Sequence, residues 1–143
     1  LNEELCHSEI GKHATVFLAL INTNLNVMSW SSAGHYPAPL VNVDNEWQWL
    51  ESNGLAVGIM PDNIYTGIQT QWQQEFWLYA CTDGLFELWA DATLSEKEKK
   101  WKELVESKQV NPQSLASTLK LDGLVDIPDD ITFLSVNYSH ERR

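Results

Sequence analysis

The sequence predicts an α+β protein in which an antiparallel β-sandwich is flanked by helices. Short apolar segments separated by turn-forming residues fill the first part of the 143-residue chain, as is typical of consecutive strands. One turn, Asp44-Asn45, lies between two alternating segments and indicates a hairpin. Segments with helical periodicity come mostly later, so strands and helices are segregated along the chain.

The first predicted strands follow closely on one another. Residues 14–21 are a continuous apolar, β-branched run that predicts a buried strand, and residues 27–32 predict the strand that returns beside it. Residues 40–43 and 46–50 are the two sides of the predicted hairpin. Short turns between sequential strands favour antiparallel pairing.

Three further strands are predicted in the rest of the chain. Residues 67–72 and 75–82 are expected to pair with each other. The second of these is apolar almost throughout, so both of its faces should be covered. Residues 131–138 predict a last strand behind a Pro-Asp-Asp turn.

Four segments are predicted to be helical: residues 1–10 as the tail of a helix, 85–89, 95–108 and the segment that begins at Asn111-Pro112. Ser95 and Glu98 form the expected capping box of the third segment. Its apolar face consists of Trp101, Leu104 and Val105.

Composition and charge exclude two classes of partner. The formal net charge is −11, whereas nucleic-acid binding needs clustered Lys and Arg, and the same charge disfavours a lipid surface. No apolar run approaches the roughly 18 residues of a membrane span. Cys6 and Cys81 have no metal-type spacing, and no signal-peptide pattern opens the chain, so we expect a cytoplasmic protein. A basic protein partner or a bound cation fits the charge.

The residues that could carry out chemistry lie in two acidic turns. Asp83 stands where a buried strand ends, and Asp129 and Asp130 stand just before another strand begins. Carboxylates held close together at rigid strand ends repel each other unless a cation neutralises them, and Mg²⁺ and Mn²⁺ prefer such oxygen ligands. The alternative is that both are ordinary turns, since Asp-Gly and Asp-Asp are common turn sequences. The four histidines show no zinc spacing, and no nucleophile motif is present.

Five motifs in order resemble the stage-II-E-like branch of the PPM (protein phosphatase 2C-like) serine/threonine phosphatases. They are ATVFLALI, SAGHYPAPL, NGLAVGI, LYACTDGLFE and DDITFLSV, and they cover residues 14–138. The resemblance implies a β-sandwich flanked by helices with a two-metal Mn²⁺ or Mg²⁺ centre. A metal-bridging water would attack a phosphoserine or phosphothreonine directly.

The resemblance also assigns roles to individual residues. Asp83 and Asp129 match metal-ligating aspartates of the family, and Asp130 is expected to support the ligands without touching the metal. Gly34 and His35 match a turn on the substrate side, and we assign no chemical step to His35. The family's first metal motif has no counterpart in residues 1–13. We therefore expect residues 1–143 to be the C-terminal portion of one phosphatase domain, incomplete at the N-terminus, which alone would hold an ion weakly.

The resemblance further implies a substrate and a context. Substrates in this branch are phosphorylated anti-sigma-factor antagonists in bacterial partner-switching or two-component pathways, and a receiver or sensory domain often precedes the phosphatase domain. One alternative is a non-catalytic scaffold of the same fold that binds a sigma-factor regulator, although both acidic motifs are intact. Another takes the seven tryptophans as a sugar-binding platform on an all-β module, which the predicted helices disfavour.

Overall fold

Seven strands form two antiparallel sheets in the computed structural model, which describes residues 1–8, 11–106, 110–121 and 128–139. The strands are β1 (Val16–Asn22), β2 (Val27–Ala33), β3 (Leu40–Val43), β4 (Glu46–Trp49), β5 (Ile68–Gln71), β6 (Glu75–Cys81) and β7 (Phe133–Ser139). The helices are α1 (Asn2–Cys6), α2 (Gly84–Glu87), α3 (Leu94–Val105) and α4 (Pro112–Thr118).

The two sheets and the helices make three layers. One sheet has the order β1-β2-β5 and the other the order β4-β3-β6-β7. Apolar side chains from both sheets form the core between them: Met28, Trp30, Val41, Val43, Phe76 and Leu78. A second core joins the four-stranded sheet to the helices: Leu40, Tyr79, Cys81, Leu85, Phe86, Trp101, Val105 and Leu115. This arrangement confirms the predicted α+β sandwich with helices on antiparallel sheet.

The predicted pairing of residues 67–72 with residues 75–82 is wrong, because β5 and β6 lie in different sheets. β5 pairs with β2, whereas β6 pairs with β3 on one side and β7 on the other. The chain thus crosses from one layer of the sandwich to the other between two strands that are adjacent in sequence.

Asp44 holds this crossing in place from the turn of the β3–β4 hairpin. Its carboxylate accepts hydrogen bonds from the backbone N–H groups of Gln73, Gln74 and Glu75 at 2.7, 2.8 and 3.1 Å. These donors lie between β5 and the start of β6, where the backbone leaves one ladder before it joins the next. One side chain therefore stabilises the connection between the two sheets.

β1 is an edge strand with one exposed face, so the expectation of a buried strand is wrong for that face. Leu18 and Leu20 are 69% and 71% exposed, whereas Phe17, Ala19 and Ile21 pack against the core. Among the described residues, no element covers the outer face of the sheet at the two leucines.

The long helix α3 begins at Leu94, one residue earlier than predicted, and its capping box lies two residues earlier. Thr93 and Glu96 form its capping box, in which each side chain accepts the other residue's backbone N–H. The predicted box of Ser95 and Glu98 has the same spacing, but the extended backbone required of a cap occurs at Thr93. α3 ends at Val105, and the predicted residues 107 and 108 lie outside the described residues.

The first and last predicted helices are both present. α1 ends at Cys6, short of the predicted end, and residues 9 and 10 lie outside the described part of the chain. Asn111 caps α4 as predicted, through its side chain and the N–H of Ser114. Of the helices in the described residues, none has the length and apolar character that crossing a membrane requires.

The tryptophans belong to the cores, as predicted. Trp30, Trp72 and Trp101 are at most 5% exposed. The other four pack against the core beneath the helices: Trp47, Trp49, Trp77 and Trp89. This placement, together with the mixed fold, removes the basis for a sugar-binding platform on an all-β module.

The hydrogen bonds of Asp44 predict an acid-sensitive contribution to stability. Partial burial would raise the pKa of the Asp44 carboxyl, but the three backbone donors hold it below its ordinary value of 3.8. The stability that the ionised Asp44 carboxylate contributes is thus fully present above pH 3.8, and it is lost as the pH falls through the pKa of Asp44 in the folded protein. Asp44→Asn should lower the free energy of unfolding by about 1 kcal/mol near neutral pH, because the turn is partly exposed.

The measurement is urea unfolding of the wild-type protein and of Asp44→Asn between pH 7 and pH 3. Asp62→Asn is the matched control, because Asp62 also has a positive φ but lies in an exposed loop. Equal losses of stability in the two variants would contradict the role assigned to Asp44.

Candidate metal centre

The two acidic turns lie side by side at one edge of the four-stranded sheet. β6 and β7 run antiparallel, and Cys81 at the end of β6 is opposite Phe133 at the start of β7. The segment after β6 and the segment before β7 therefore meet at the same edge. The backbone N–H of Thr82 continues the ladder by donating to the carbonyl of Thr132 at 3.0 Å. The structure thus brings together the turns that carry Asp83 and Asp129.

The hydroxyl of Thr82 ties these two turns to each other. It donates to the carbonyl of Asp130 at 2.9 Å and accepts from the backbone N–H of Thr132 at 2.8 Å. Both bonds go to backbone atoms, so the link from Thr82 to the turn before β7 does not depend on the side chains of that turn. The sequence analysis missed Thr82. Its only signal in the sequence is a hydroxyl residue directly before Asp-Gly at the end of a strand.

Gly84 leaves the space into which the second turn fits. A Cβ at this position would lie 2.5 Å from the carbonyl oxygen of Asp130 and 3.0 Å from that of Asp129. Real side chains do not tolerate such distances to backbone, so a larger residue would push the turn away. The sequence alone does not reveal this close approach of Gly84 to the other turn.

The three carboxylates point to a hard cation. Asp83, Asp129 and Asp130 are all exposed, and one oxygen of Asp129 accepts the backbone N–H of Asp130 at 2.7 Å. Mg²⁺ keeps several water ligands and often binds through only one or two carboxylates, so exposed acids on rigid turns suit it. Asp130 contributes its N–H and carbonyl to the turn, and its expected place behind the ligands stays a prediction.

The described residues supply only part of a metal centre. Within the described ranges, no group of three or more His, Cys, Asp and Glu side chains lies close enough together to hold an ion. The assignment of Asp83 and Asp129 as metal ligands therefore stays a prediction, and an ion held by them would need further ligands from water or from other parts of the protein.

His35 lies in a cavity of about 320 Å³ that also contains Thr82 and Thr132. Its ring is half-buried, and within the described residues its Nε2 has no hydrogen-bond partner. Burial lowers the pKa of His35 below its ordinary value of 6.5, and the negative charge of Asp83 opposes part of this change. The neutral imidazole is therefore favoured at pH 7, within electrostatic reach of Asp83.

Gly34 shapes the turn that carries His35. Its φ is +65°, which favours glycine, and a Cβ there would lie 2.8 Å from the backbone nitrogen of Ala56. The turn thus packs directly on the loop that follows β4. Its structural role is clear from this contact alone.

Sequence comparison relates nearly the whole chain to one family. The family described as Stage II sporulation protein E (SpoIIE) matches residues 1–139. Protein IcfG of Synechocystis sp. is 28% identical over 140 residues, which cover 91% of this chain and 21% of that protein. The chain thus spans about a fifth of this curated relative.

Solved structures share the fold at low sequence identity. The RsbU and RsbW domains of Rv1364c from Mycobacterium tuberculosis align with a TM-score of 0.72 and 19% identity, covering 96% of this chain and 39% of that one. The Mn-presoaked phosphatase domain of SpoIIE from Bacillus subtilis aligns with a TM-score of 0.66 and 18% identity, covering 91% and 58%. The PP2C domain of SiaA from Pseudomonas aeruginosa gives 0.67 and 17%, covering 87% and 52%. The fold is therefore that of PP2C phosphatase domains.

The contact at Gly84 predicts a position-specific loss of stability. Gly84→Ala should lower the free energy of unfolding by about 1–3 kcal/mol, because the added methyl group forces backbone apart. Gly67→Ala is the control, since a Cβ at Gly67 meets nothing within 4 Å and its φ is not in the left-handed region. Urea unfolding of the two variants measures the difference. A Gly84→Ala protein as stable as Gly67→Ala would show that the turns are not in contact.

Proposed function

Because this chain belongs to the stage II sporulation protein E family, we propose that its parent protein is a Mn²⁺- or Mg²⁺-dependent protein serine/threonine phosphatase. The observation that carries the proposal is the pair of acidic turns held together at the edge of the sheet by Thr82 and Gly84. The carboxylates of the two turns repel each other, and backbone contacts hold the turns together in spite of this repulsion. A centre for a divalent cation gives a reason for this arrangement.

In this proposal Asp83 and Asp129 hold the metal. When bound, divalent cations would supply a hydroxide nucleophile at neutral pH and would polarise the phosphoryl oxygens, so no protein nucleophile would be required. The Thr82 hydroxyl ties the second turn to the first by donating to the carbonyl of Asp130, and within the second turn the N–H of Asp130 donates to the carboxylate of Asp129. The cavity that contains His35 opens beside these turns, and the neutral imidazole adds no positive charge that would compete with the cations.

The substrate that we propose is a phosphorylated anti-sigma-factor antagonist in a bacterial signalling pathway, and the proposed setting is the cytoplasm. One of the similar structures joins an RsbU and an RsbW domain in a single protein, and another includes a fragment of the SpoIIE regulatory domain. These relatives support a domain that works beside regulatory domains. A receiver or sensory domain in the parent protein is part of the same proposal.

A scaffold that binds a sigma-factor regulator without catalysis is the second candidate. Such a protein has no need of paired acidic turns, whereas this chain keeps Asp83 and Asp129 and the contacts that align them. Phosphatase activity is therefore the function that the geometry favours.

The first functional prediction concerns the metal. The full-length parent protein should release phosphate from phosphoserine or phosphothreonine peptides when Mn²⁺ or Mg²⁺ is present, and should lose this activity in EDTA. Phosphate release at each condition is the measurement, and restoring Mn²⁺ after EDTA is the control. Activity that survives EDTA, or that requires zinc, would refute the proposed mechanism.

The second functional prediction separates the three acids. Asp83→Asn and Asp129→Asn should each lower kcat at least a hundredfold, because each removes a charged ligand. Neither should destabilise the metal-free fold, since removing one charge relieves repulsion. Asp130→Asn should lower kcat much less, because that residue acts through backbone groups that the substitution keeps. An essential Asp130 with a dispensable Asp129 would reverse the assignment.

A further inference from the structure

The turn that carries His35 also lines a second cleft. Its volume is about 270 Å³, and its lining includes Tyr36, Glu51, Ser52, Asn53 and Glu98. His35 lines both this cleft and the cavity beside Thr82. The two depressions thus share one lining residue.

Aromatic packing fixes the position of this cleft relative to Asp83. The ring of Tyr36 meets the ring of Phe86 edge-on, with centroids 5.7 Å apart. Phe86 belongs to α2, and its backbone N–H donates to the carbonyl of Asp83 at 2.7 Å. Burial, Glu98 and Asp83 all raise the pKa of Tyr36, so the phenol lies within reach of both charges. A segment bound in the cleft would therefore lie near α2 and within electrostatic reach of Asp83.

The charge of the cleft is negative and not balanced by a cation. Neither Glu51 nor Glu98 takes part in the ion pairs of the described residues, and Lys102, one turn along α3 from Glu98, pairs with Glu106. The described lining of the cleft contains no Lys or Arg. Glu98 is half-buried, so water screens its charge less than that of a fully exposed side chain.

We propose that this cleft binds the part of the substrate next to the phosphorylated residue, and that Glu51 and Glu98 select a Lys or Arg side chain there. The inference rests on the proposed phosphatase function and names the class of its substrate. Charge complementarity favours a basic segment as the occupant, because an acidic segment would be repelled by both carboxylates and by the net charge of −11. The exposed face of Tyr36 offers a cation an additional favourable contact.

The test compares fluorescently labelled phosphoserine peptides that differ only in having Arg or Gln within three residues of the phosphoserine. Binding to the full-length protein is measured by fluorescence anisotropy in EDTA, so that no turnover occurs. The Arg peptide should bind about two- to fivefold more tightly for each carboxylate that it meets. The ratio of the two dissociation constants should approach one in the double variant Glu51→Gln/Glu98→Gln. In the double variant Glu51→Lys/Glu98→Lys the Gln peptide should bind more tightly than the Arg peptide.

Glu103→Gln is the matched control, because Glu103 is on the same helix, pairs with Lys99 and does not line the cleft. This variant should keep the preference of the wild-type protein. Thermal unfolding of each variant verifies that the fold is retained, as expected for changes at partly exposed side chains.

Two outcomes would overturn the inference. One is the absence of a measurable preference in the wild-type protein, whether both peptides bind equally or neither binds. The other is a preference that the double Gln variant retains. The proposed function is judged separately by phosphate release in Mn²⁺. A preference for the Arg peptide without phosphate release would refute the phosphatase function but not the cleft assignment. Equal binding of the two peptides with phosphate release would refute the cleft assignment but not the phosphatase function.

Discussion

The close contact between the backbone of Gly84 and the backbone of Asp130 is the constraint on which the candidate centre depends. Two acidic turns repel each other, so their proximity must be enforced by other interactions. Here it is enforced by the β6–β7 ladder, by the two hydrogen bonds of the Thr82 hydroxyl and by the missing side chain at Gly84. All of these act on backbone atoms. The carboxylates themselves stay exposed and available to a cation.

The rigidity behind the turns comes from the core beneath the helices. Leu85 and Phe86, which follow Gly84 directly, are 0% and 2% exposed, and Tyr79 on β6 is fully buried. Burial raises the pKa of Tyr79 to about 12, so this phenol remains neutral and adds no charge beneath the site. Apolar packing therefore fixes the acidic turns from one side while water reaches them from the other. Such a combination favours metal binding, because the ligands need not be ordered when the ion arrives.

Local sequence patterns predicted the elements well, and long-range contacts account for what they missed. Asp44 and Asn45 both have positive φ, which is the turn chemistry that identified the β3–β4 hairpin. The same Asp44 also holds the crossing to β6, and no local pattern reveals that second role. Thr93 and Ser95 both begin a capping-box pattern, so spacing alone could not choose between them. The acids were found from their motifs, whereas Thr82 and Gly84 matter through contacts with residues far along the chain.

The place of β7 in the sheet has a consequence for how the protein is made. Of the two ladder partners that β6 has among the described residues, β3 precedes it in the chain and β7 follows it, so β6 leaves the ribosome before β7. Until β7 is synthesised, the other edge of this apolar strand is open to pairing with another chain, which makes the nascent protein prone to aggregation. The final docking step closes that edge and at the same moment brings Asp129 beside Asp83. Until β7 docks, the chain therefore has neither a protected sheet edge nor paired acidic turns, and it acquires both together.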